Sequence, residues 1–179
     1  AALVRKVLKR TALIFIAGYL LFWLPYVHMD AAGHLAMKPL DHTRIPGVLQ
    51  RIALGYGGAA LILHFFKPRG AMVFSVLALL GYWALLLGFG DLTLAGNAVL
   101  KLDLLVFGPD LIYHGEGVPF DPEGLLSTLP AIVNTLAGYF AGRFVIEKGN
   151  NHETLAKLLL AGALALGVAM AWSGVLPFN

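Results

Sequence analysis

Five apolar stretches, each close to twenty residues long, constrain the fold more than any other feature of the chain. A helix of about 20 residues crosses the hydrocarbon core of a bilayer, and these stretches are apolar around their whole circumference. The alternating ten-residue pattern of a membrane β-barrel is not found in the sequence. The sequence therefore predicts an all-α fold, a polytopic transmembrane helix bundle with about five spanning helices. The predicted spans are 4–25, 47–66, 71–90, 124–146 and 155–175.

The amino-acid composition is typical of a membrane protein. Hydrophobic residues make up 59% and charged residues 13%, whereas about 25% of the residues of a soluble domain are charged. The absence of cysteine excludes disulfides and thiolate metal sites. The net charge of +3 is small and dispersed. The expected partner is therefore the lipid bilayer and not nucleic acid.

The distribution of Lys and Arg predicts an orientation. If the spans alternate in direction, nine of the thirteen basic residues fall on the side where the first helix begins. The positive-inside rule makes that side cytoplasmic, so the N-terminus is expected in the cytoplasm. The long loops 26–46 and 91–123 then lie outside, and the short connections 67–70 and 147–153 are predicted as tight inner turns.

The start of the second span carries polar groups that need partners. The segment RIPGVLQR places Arg44, Gln50 and Arg51 around the start of an apolar helix, which is expected near Pro46. An arginine at the bilayer centre costs roughly 2.5–3.5 kcal/mol, although Arg51 is shallow enough to extend toward the surface. Two interpretations stay open: contact with lipid headgroups, or pairing with carboxylates of the bundle or with an anionic group of a ligand. We favour the second.

The segment 117–142, GVPFDPEGLLSTLPAIVNTLAGYFAG, supplies candidate carboxylates. Asp121 is predicted to cap a helix that starts at Pro122, with Glu123 in the first turn. Five residues recur at helical spacing on one face of this helix and predict a cavity or ligand path, with interhelical hydrogen bonding as the alternative. They are Glu123, Ser127, Pro130, Asn134 and Gly138.

The expected substrate or coenzyme A path combines both segments. It consists of Arg44, Gln50, Arg51, Asp121, Glu123, Ser127 and Asn134. The outer-loop residues His28, Asp30 and His34 form no established metal-ligand motif, so no metal site is expected.

Two segments resemble the transmembrane acyltransferase family of heparan-α-glucosaminide N-acetyltransferase and the bacterial NagX-like proteins. They are 44–54, which begins RIPGVLQR, and 115–142, which contains DPEGLLST; the Gly-Asn pair at 96–97 also fits. The resemblance covers essentially the whole chain. It implies an integral membrane acetyltransferase, in a bacterial inner membrane, that moves an acetyl group from cytosolic acetyl-CoA to the amine of a glucosamine-type sugar at the outer face.

The resemblance also implies parts that this chain does not contain. The family has further helices and an outer-side catalytic histidine in a sequence context that is absent here. No catalytic role is therefore transferred to His28, His34 or His42, and the catalytic residue is unknown. Residues 1–179 are expected to be a single helical region, the central part of a longer enzyme and inactive alone, with homo-oligomerisation left open. A transporter of amino sugars that uses the same polar path is the alternative function.

Overall fold

The structure is a computed structural model that describes residues 2–29, 33–40, 43–115, 117, 119–149 and 151–174. Within these ranges it contains five α-helices and one antiparallel hairpin of two short strands. The elements are α1 (Ala2–Trp23), β1 (Val27–Met29), β2 (Leu35–Met37), α2 (Val48–Phe89), α3 (Ala98–Phe107), α4 (Thr128–Lys148) and α5 (His152–Trp172). The predicted all-α fold is confirmed, because the strands have only three residues each.

Three of the described helices are long and apolar enough to cross a membrane: α2, α4 and α5. At most 11% of the most apolar window of each helix is buried, so their apolar side chains face outward, as in a protein surrounded by lipid. The 22-residue helix α1 carries four basic residues in its first half. The five predicted spans correspond to α1, the two halves of α2, α4 and α5, whereas α3 was not predicted as a helix.

Helix α2 joins two predicted spans in one run of 42 residues that is interrupted at Lys67, where φ is 59° and ψ is 177°. Pro68 begins the second half, a position where its missing N–H is harmless. Tyr82 lies close enough to Arg51 to be affected by the charge of the guanidinium, although a continuous helix would separate them by roughly 46 Å. The chain therefore reverses at Lys67, and the predicted tight turn is confirmed but shorter than expected.

Helix α1 packs antiparallel against the first half of α2 through glycines. A Cβ atom on Gly18 would lie 2.7 Å from the Cβ of Leu49, and one on Gly57 would lie 2.5 Å from the Oγ1 of Thr11. Small residues let helix backbones approach closely inside a membrane. This packing fixes the N-terminal end of α2, where the polar residues lie.

The chain divides into two compact units, Ala1–Asn134 and Thr135–Asn179. The first contains α1, α2, α3 and the start of α4, and the second contains the rest of α4 and α5. In the second unit α4 ends at Lys148, and the side chain of Asn151 caps α5 by accepting a hydrogen bond from the Thr154 N–H at 2.9 Å. The tight turn predicted at 147–153 is thereby confirmed.

Candidate functional site

Arg44 joins the segment before α2 to the segment before α4 through a bidentate ion pair. Its Nε donates to Asp121 Oδ2 at 2.8 Å and its Nη2 donates to Asp121 Oδ1 at 2.6 Å. The same Nη2 also donates to Glu123 Oε2. The Asp121 side chain is fully buried, whereas those of Arg44 and Glu123 are 21% and 16% exposed. The predicted pairing of Arg44 with carboxylates of the same bundle is confirmed.

Two aromatic rings also contact the Arg44 guanidinium. Its Cζ lies 5.1 Å from the ring centroid of Phe22 and 4.8 Å from that of Tyr113, within the range of cation–π attraction. Burial disfavours the charge, but the hydrogen bonds and charges of Asp121 and Glu123 outweigh it and raise the pKa of Arg44 above its ordinary value. Arg44 is therefore a permanent cation with a fixed position.

Asp121 organises a turn and does not cap a helix. Its carboxylate accepts the N–H of Tyr113 at 3.2 Å and the N–H of Glu123 at 3.0 Å. Residues 121–127 form turns, and α4 begins only at Thr128. The predicted capping role of Asp121, with Glu123 in the first helical turn, is therefore wrong. The physical reason is that side chain–backbone hydrogen bonds and the ion pair with Arg44 hold this segment in a turn.

A cavity of about 130 Å³ lies beside the ion pairs. It is bounded by the start of α2, by α1, by the end of α3 and by the turn before α4. Its wall is almost entirely apolar and includes Phe15, Leu54 and Phe107. The polar residues Gln50, Arg51, Glu123 and Thr128 also border it. Three of the residues predicted for the substrate path, Gln50, Arg51 and Glu123, thus surround one small space.

Gln50 borders this space but its amide is buried in the packing next to Gly18 and Gly47. The residue is 2% exposed, and neither Nε2 nor Oε1 has a hydrogen-bond partner among the described residues. Such a group typically costs about 1–3 kcal/mol when buried. Arg51 lines the cavity too, and no carboxylate in the described ranges lies within ion-pair distance of it. Arg51 therefore lacks the predicted carboxylate partner within the described bundle.

The polar stripe predicted along α4 is not formed, because Glu123 and Ser127 precede the helix. Ser127 Oγ donates to the carbonyl of Gly124 at 2.7 Å and to that of Pro122 at 3.3 Å, so its hydroxyl serves its own turn. Asn134 is exposed and does not line the cavity. The roles of Ser127 and Asn134 in a substrate path stay predictions.

Asp103 is a residue of this region that the sequence did not single out. It is fully buried on α3, and its Oδ1 accepts the N–H of Leu125 at 2.8 Å. Burial raises the pKa of Asp103 to about 6; the charge of Asp121 also raises it, and the hydrogen bond from Leu125 opposes the shift. The available signal was one acidic residue inside the apolar run AVLKLDLLVF.

The structure describes two of the histidines considered as metal ligands, His28 and His34. His28 is in β1 and His34 precedes β2, and both are exposed. Asp30 and His42 fall outside the described residues. In the portion of the chain that the structure describes, no group of three or more potential metal ligands is found.

The chain is similar to two curated acetyltransferases, although no family model matches it. It is 26% identical to the heparan-α-glucosaminide N-acetyltransferase of Mus musculus over 228 aligned residues, which cover 96% of this chain and 35% of that protein. Identity to the Homo sapiens protein of the same name is 29% over 155 residues, 59% of this chain and 23% of that protein. The chain thus spans about a third or less of the length of these relatives. The similarity and the apolar helices support an integral membrane protein of a related acyltransferase family.

Proposed function

We propose that this chain is the central part of an integral membrane N-acetyltransferase. The enzyme moves an acetyl group from cytosolic acetyl-CoA to the amine of a glucosamine-type sugar at the outer face, in a bacterial inner membrane. The similarity to two heparan-α-glucosaminide N-acetyltransferases is the observation that carries the proposal. The distribution of Lys and Arg supports the orientation, with the N-terminus in the cytoplasm.

The chemistry defines what the polar cluster contributes. The amine nitrogen forms a C–N bond to the acetyl carbon, the C–S bond of the thioester breaks, and coenzyme A leaves as a thiol with the proton that the amine loses. A base is needed because a protonated amine cannot attack. We assign Glu123 to orienting the acceptor amine, since one of its oxygens binds Arg44 and the other faces no described ion-pair partner.

The size of the cavity limits what it holds. At about 130 Å³ it is smaller than the roughly 300–1,000 Å³ of sites for drug-sized ligands. It accommodates a small group at the reacting end of a substrate and not a nucleotide. The remainder of an acetyl-CoA site is therefore expected from residues beyond this cavity, with the substrate bound only partly by the cluster.

Thiol release from acetyl-CoA tests the proposal. We expect the intact protein, purified in detergent, to release thiol only when glucosamine is present and to yield N-acetylglucosamine, detected by mass spectrometry. Glu123→Gln should lower this rate at least tenfold, whereas Lys101→Gln, which removes a cation outside the cavity, should retain it.

Two results would decide against the transferase. Wild-type protein without glucosamine-dependent thiol release would contradict it outright. Uptake of labelled glucosamine into proteoliposomes, with the sugar unmodified, would favour the amino-sugar transporter.

A further inference from the structure

We propose that the hairpin of β1 and β2 lies on the membrane surface at the side where α1 ends, with one apolar face inserted into the lipid. The occupant of this face is the boundary region of the bilayer, between headgroups and acyl chains. The contact involves two strands of the loop 26–46, for which the sequence predicted only a position outside the membrane. It goes beyond the proposed reaction and does not depend on it.

The register of the hairpin places four apolar side chains on one face. Val27 is paired with Met37, and Met29 is paired with Leu35. Successive side chains of a strand point to opposite faces and directly opposed residues share a face, so these four residues form one apolar face. They are 49–75% exposed, and the described bundle therefore leaves the apolar face largely open.

The opposite face of the hairpin differs in chemistry. It carries His28, which is paired with Ala36 between the two apolar pairs. His28 is exposed as well, so both faces of the hairpin project from the described bundle. An element with one apolar face and one polar face fits a boundary between lipid and water, with one face in each.

Contacts with the end of α1 hold the hairpin near the membrane surface. Trp23 Nε1 donates to the carbonyl of Lys38 at 2.9 Å, and the Lys38 N–H donates to the carbonyl of Tyr26 at 2.8 Å. The rings of Trp23 and Tyr26 pack edge to face, with their centroids 5.1 Å apart. Because Trp and Tyr concentrate at the interface of membrane and water, these contacts set the hairpin at that depth.

The apolar face also continues an apolar surface of α1, which favours lipid over a protein partner. The second half of α1 contains no charged residue, and Leu21 and Leu24 at its end are exposed. Val27 follows Leu24 by three positions. Exposed apolar patches mark contacts with membranes or with proteins. A patch that adjoins the exposed end of an apolar helix extends the surface that the helix presents to lipid.

The backbone of the hairpin limits how deeply it inserts. The sheet has two strands, so each strand has one open edge. Unpaired N–H and C=O groups at such an edge are not satisfied inside the hydrocarbon core. The strands therefore stay where water and headgroups reach their edges, and the apolar side chains enter the bilayer by about 5–10 Å.

Spin labels test which face contacts lipid. The chain contains no cysteine, so an introduced cysteine carries a nitroxide at a defined position. In proteoliposomes of the intact protein, Met29→Cys and Leu35→Cys report on the apolar face. His28→Cys is the matched control, because it lies next to Met29 on the opposite face. Collision with oxygen, which concentrates in lipid, is compared with collision with a water-soluble nickel chelate, and the signal of the unsubstituted protein is subtracted.

We expect the ratio of oxygen to nickel collisions at Met29 and Leu35 to exceed that at His28 by about threefold or more. Equal ratios at the three positions would overturn the proposal, because the hairpin would then lie in water. Labels on the apolar face that neither reagent reaches would also overturn it, since a protein surface would then cover that face.

Two further variants keep the test open if a substitution disturbs folding. Val27→Cys and Met37→Cys report on the apolar face from its other cross-strand pair, and they should give the same high ratio. Acetyl transfer enters none of these measurements. A failure of the proposed reaction would therefore leave the membrane contact standing, and water-exposed labels in an active enzyme would remove the contact alone.

Discussion

Arg44 and Asp121 lie 77 positions apart in the sequence and form the strongest polar contact of the described site. Such pairs are bidentate, and the planar guanidinium makes them directional. Asp121 is fully buried, and its carboxylate oxygens are bound by Arg44 and by two backbone N–H groups. Loss of one partner in a buried pair is costly, because the other charge is then uncompensated.

We predict that Arg44→Met destabilises the protein by about 2–4 kcal/mol, a value reduced for the partial exposure of Arg44. The double variant Arg44→Met/Asp121→Asn should recover part of this loss, since it removes the stranded carboxylate. Thermal unfolding in detergent measures both. The control is Arg143→Gln, which breaks an exposed pair with Glu147 and should leave Tm nearly unchanged. Equal losses in Arg44→Met and Arg143→Gln would contradict the structural role of Arg44.

Asp103 makes the stability depend on pH in an unusual direction. Its pKa is raised from 3.8 to about 6, chiefly by burial, so the folded protein holds this proton more tightly than the unfolded chain. Its stabilising contribution is therefore fully present below about pH 4 and is lost as the pH rises through 6, by up to about 3 kcal/mol.

We predict that Asp103→Asn abolishes this part of the pH dependence, because an amide oxygen still accepts the Leu125 N–H but carries no titratable charge. Between pH 5 and 7.5 (a range of about two and a half units around the shifted pKa) the wild-type Tm should fall relative to that of the variant. Asp110→Asn, which changes an exposed carboxylate, should follow the wild type. Parallel curves of Tm against pH for wild type and Asp103→Asn would contradict the raised pKa of Asp103.

At the residue scale, the sequence correctly predicted a contact where a charged side chain near an apolar span would be unfavourable without an oppositely charged partner. An arginine at the edge of an apolar span requires compensation, and Asp121 and Glu123 were the available carboxylates near a second span. The same reasoning does not predict that Asp103 is buried or that the amide of Gln50 has no partner among the described residues. Their environments depend on which side chains of three helices meet, and no periodicity in one segment contains that information.

At the scale of elements, helix boundaries were predicted best where glycine and proline interrupt an apolar run. The break at Lys67 and the start of α2 at Val48 follow this rule. The start of α4 does not, because tertiary contacts of Asp121 hold residues 121–127 in turns although their sequence suits a helix. The predicted polar stripe is not formed for this reason, because Glu123 and Ser127 precede the helix.

We predict that Gly18→Ala destabilises the packing of α1 on α2 by about 1–3 kcal/mol, since the new Cβ would lie 2.7 Å from the Cβ of Leu49. Gly81→Ala is the matched control, because a Cβ there meets nothing within 4 Å. Because alanine has a higher helix propensity than glycine, Gly81→Ala should leave stability unchanged or raise it by up to about 1 kcal/mol. Comparable Tm values in the two variants would show that this glycine contact does not determine helix packing.

At the scale of the whole molecule, two properties can be read directly from the sequence: the apolarity of the long helices and the uneven distribution of Lys and Arg between the loops. They predicted the membrane fold, which the outward-facing apolar windows of α2, α4 and α5 confirm. The orientation stays a prediction, because length and apolarity are the same for either direction of crossing. The proposed acetyl transfer from one face to the other depends on that orientation.

Transfer across a sealed membrane tests the central claim most directly. Proteoliposomes containing the intact protein, with labelled acetyl-CoA on the side of the N-terminus and glucosamine on the opposite side, should accumulate labelled N-acetylglucosamine on the glucosamine side. Arg51→Met and Glu123→Gln should insert normally and reduce this product at least tenfold. Wild-type rates in both variants, or label that never leaves the acetyl-CoA side, would contradict an acyl-transfer site built on this cluster.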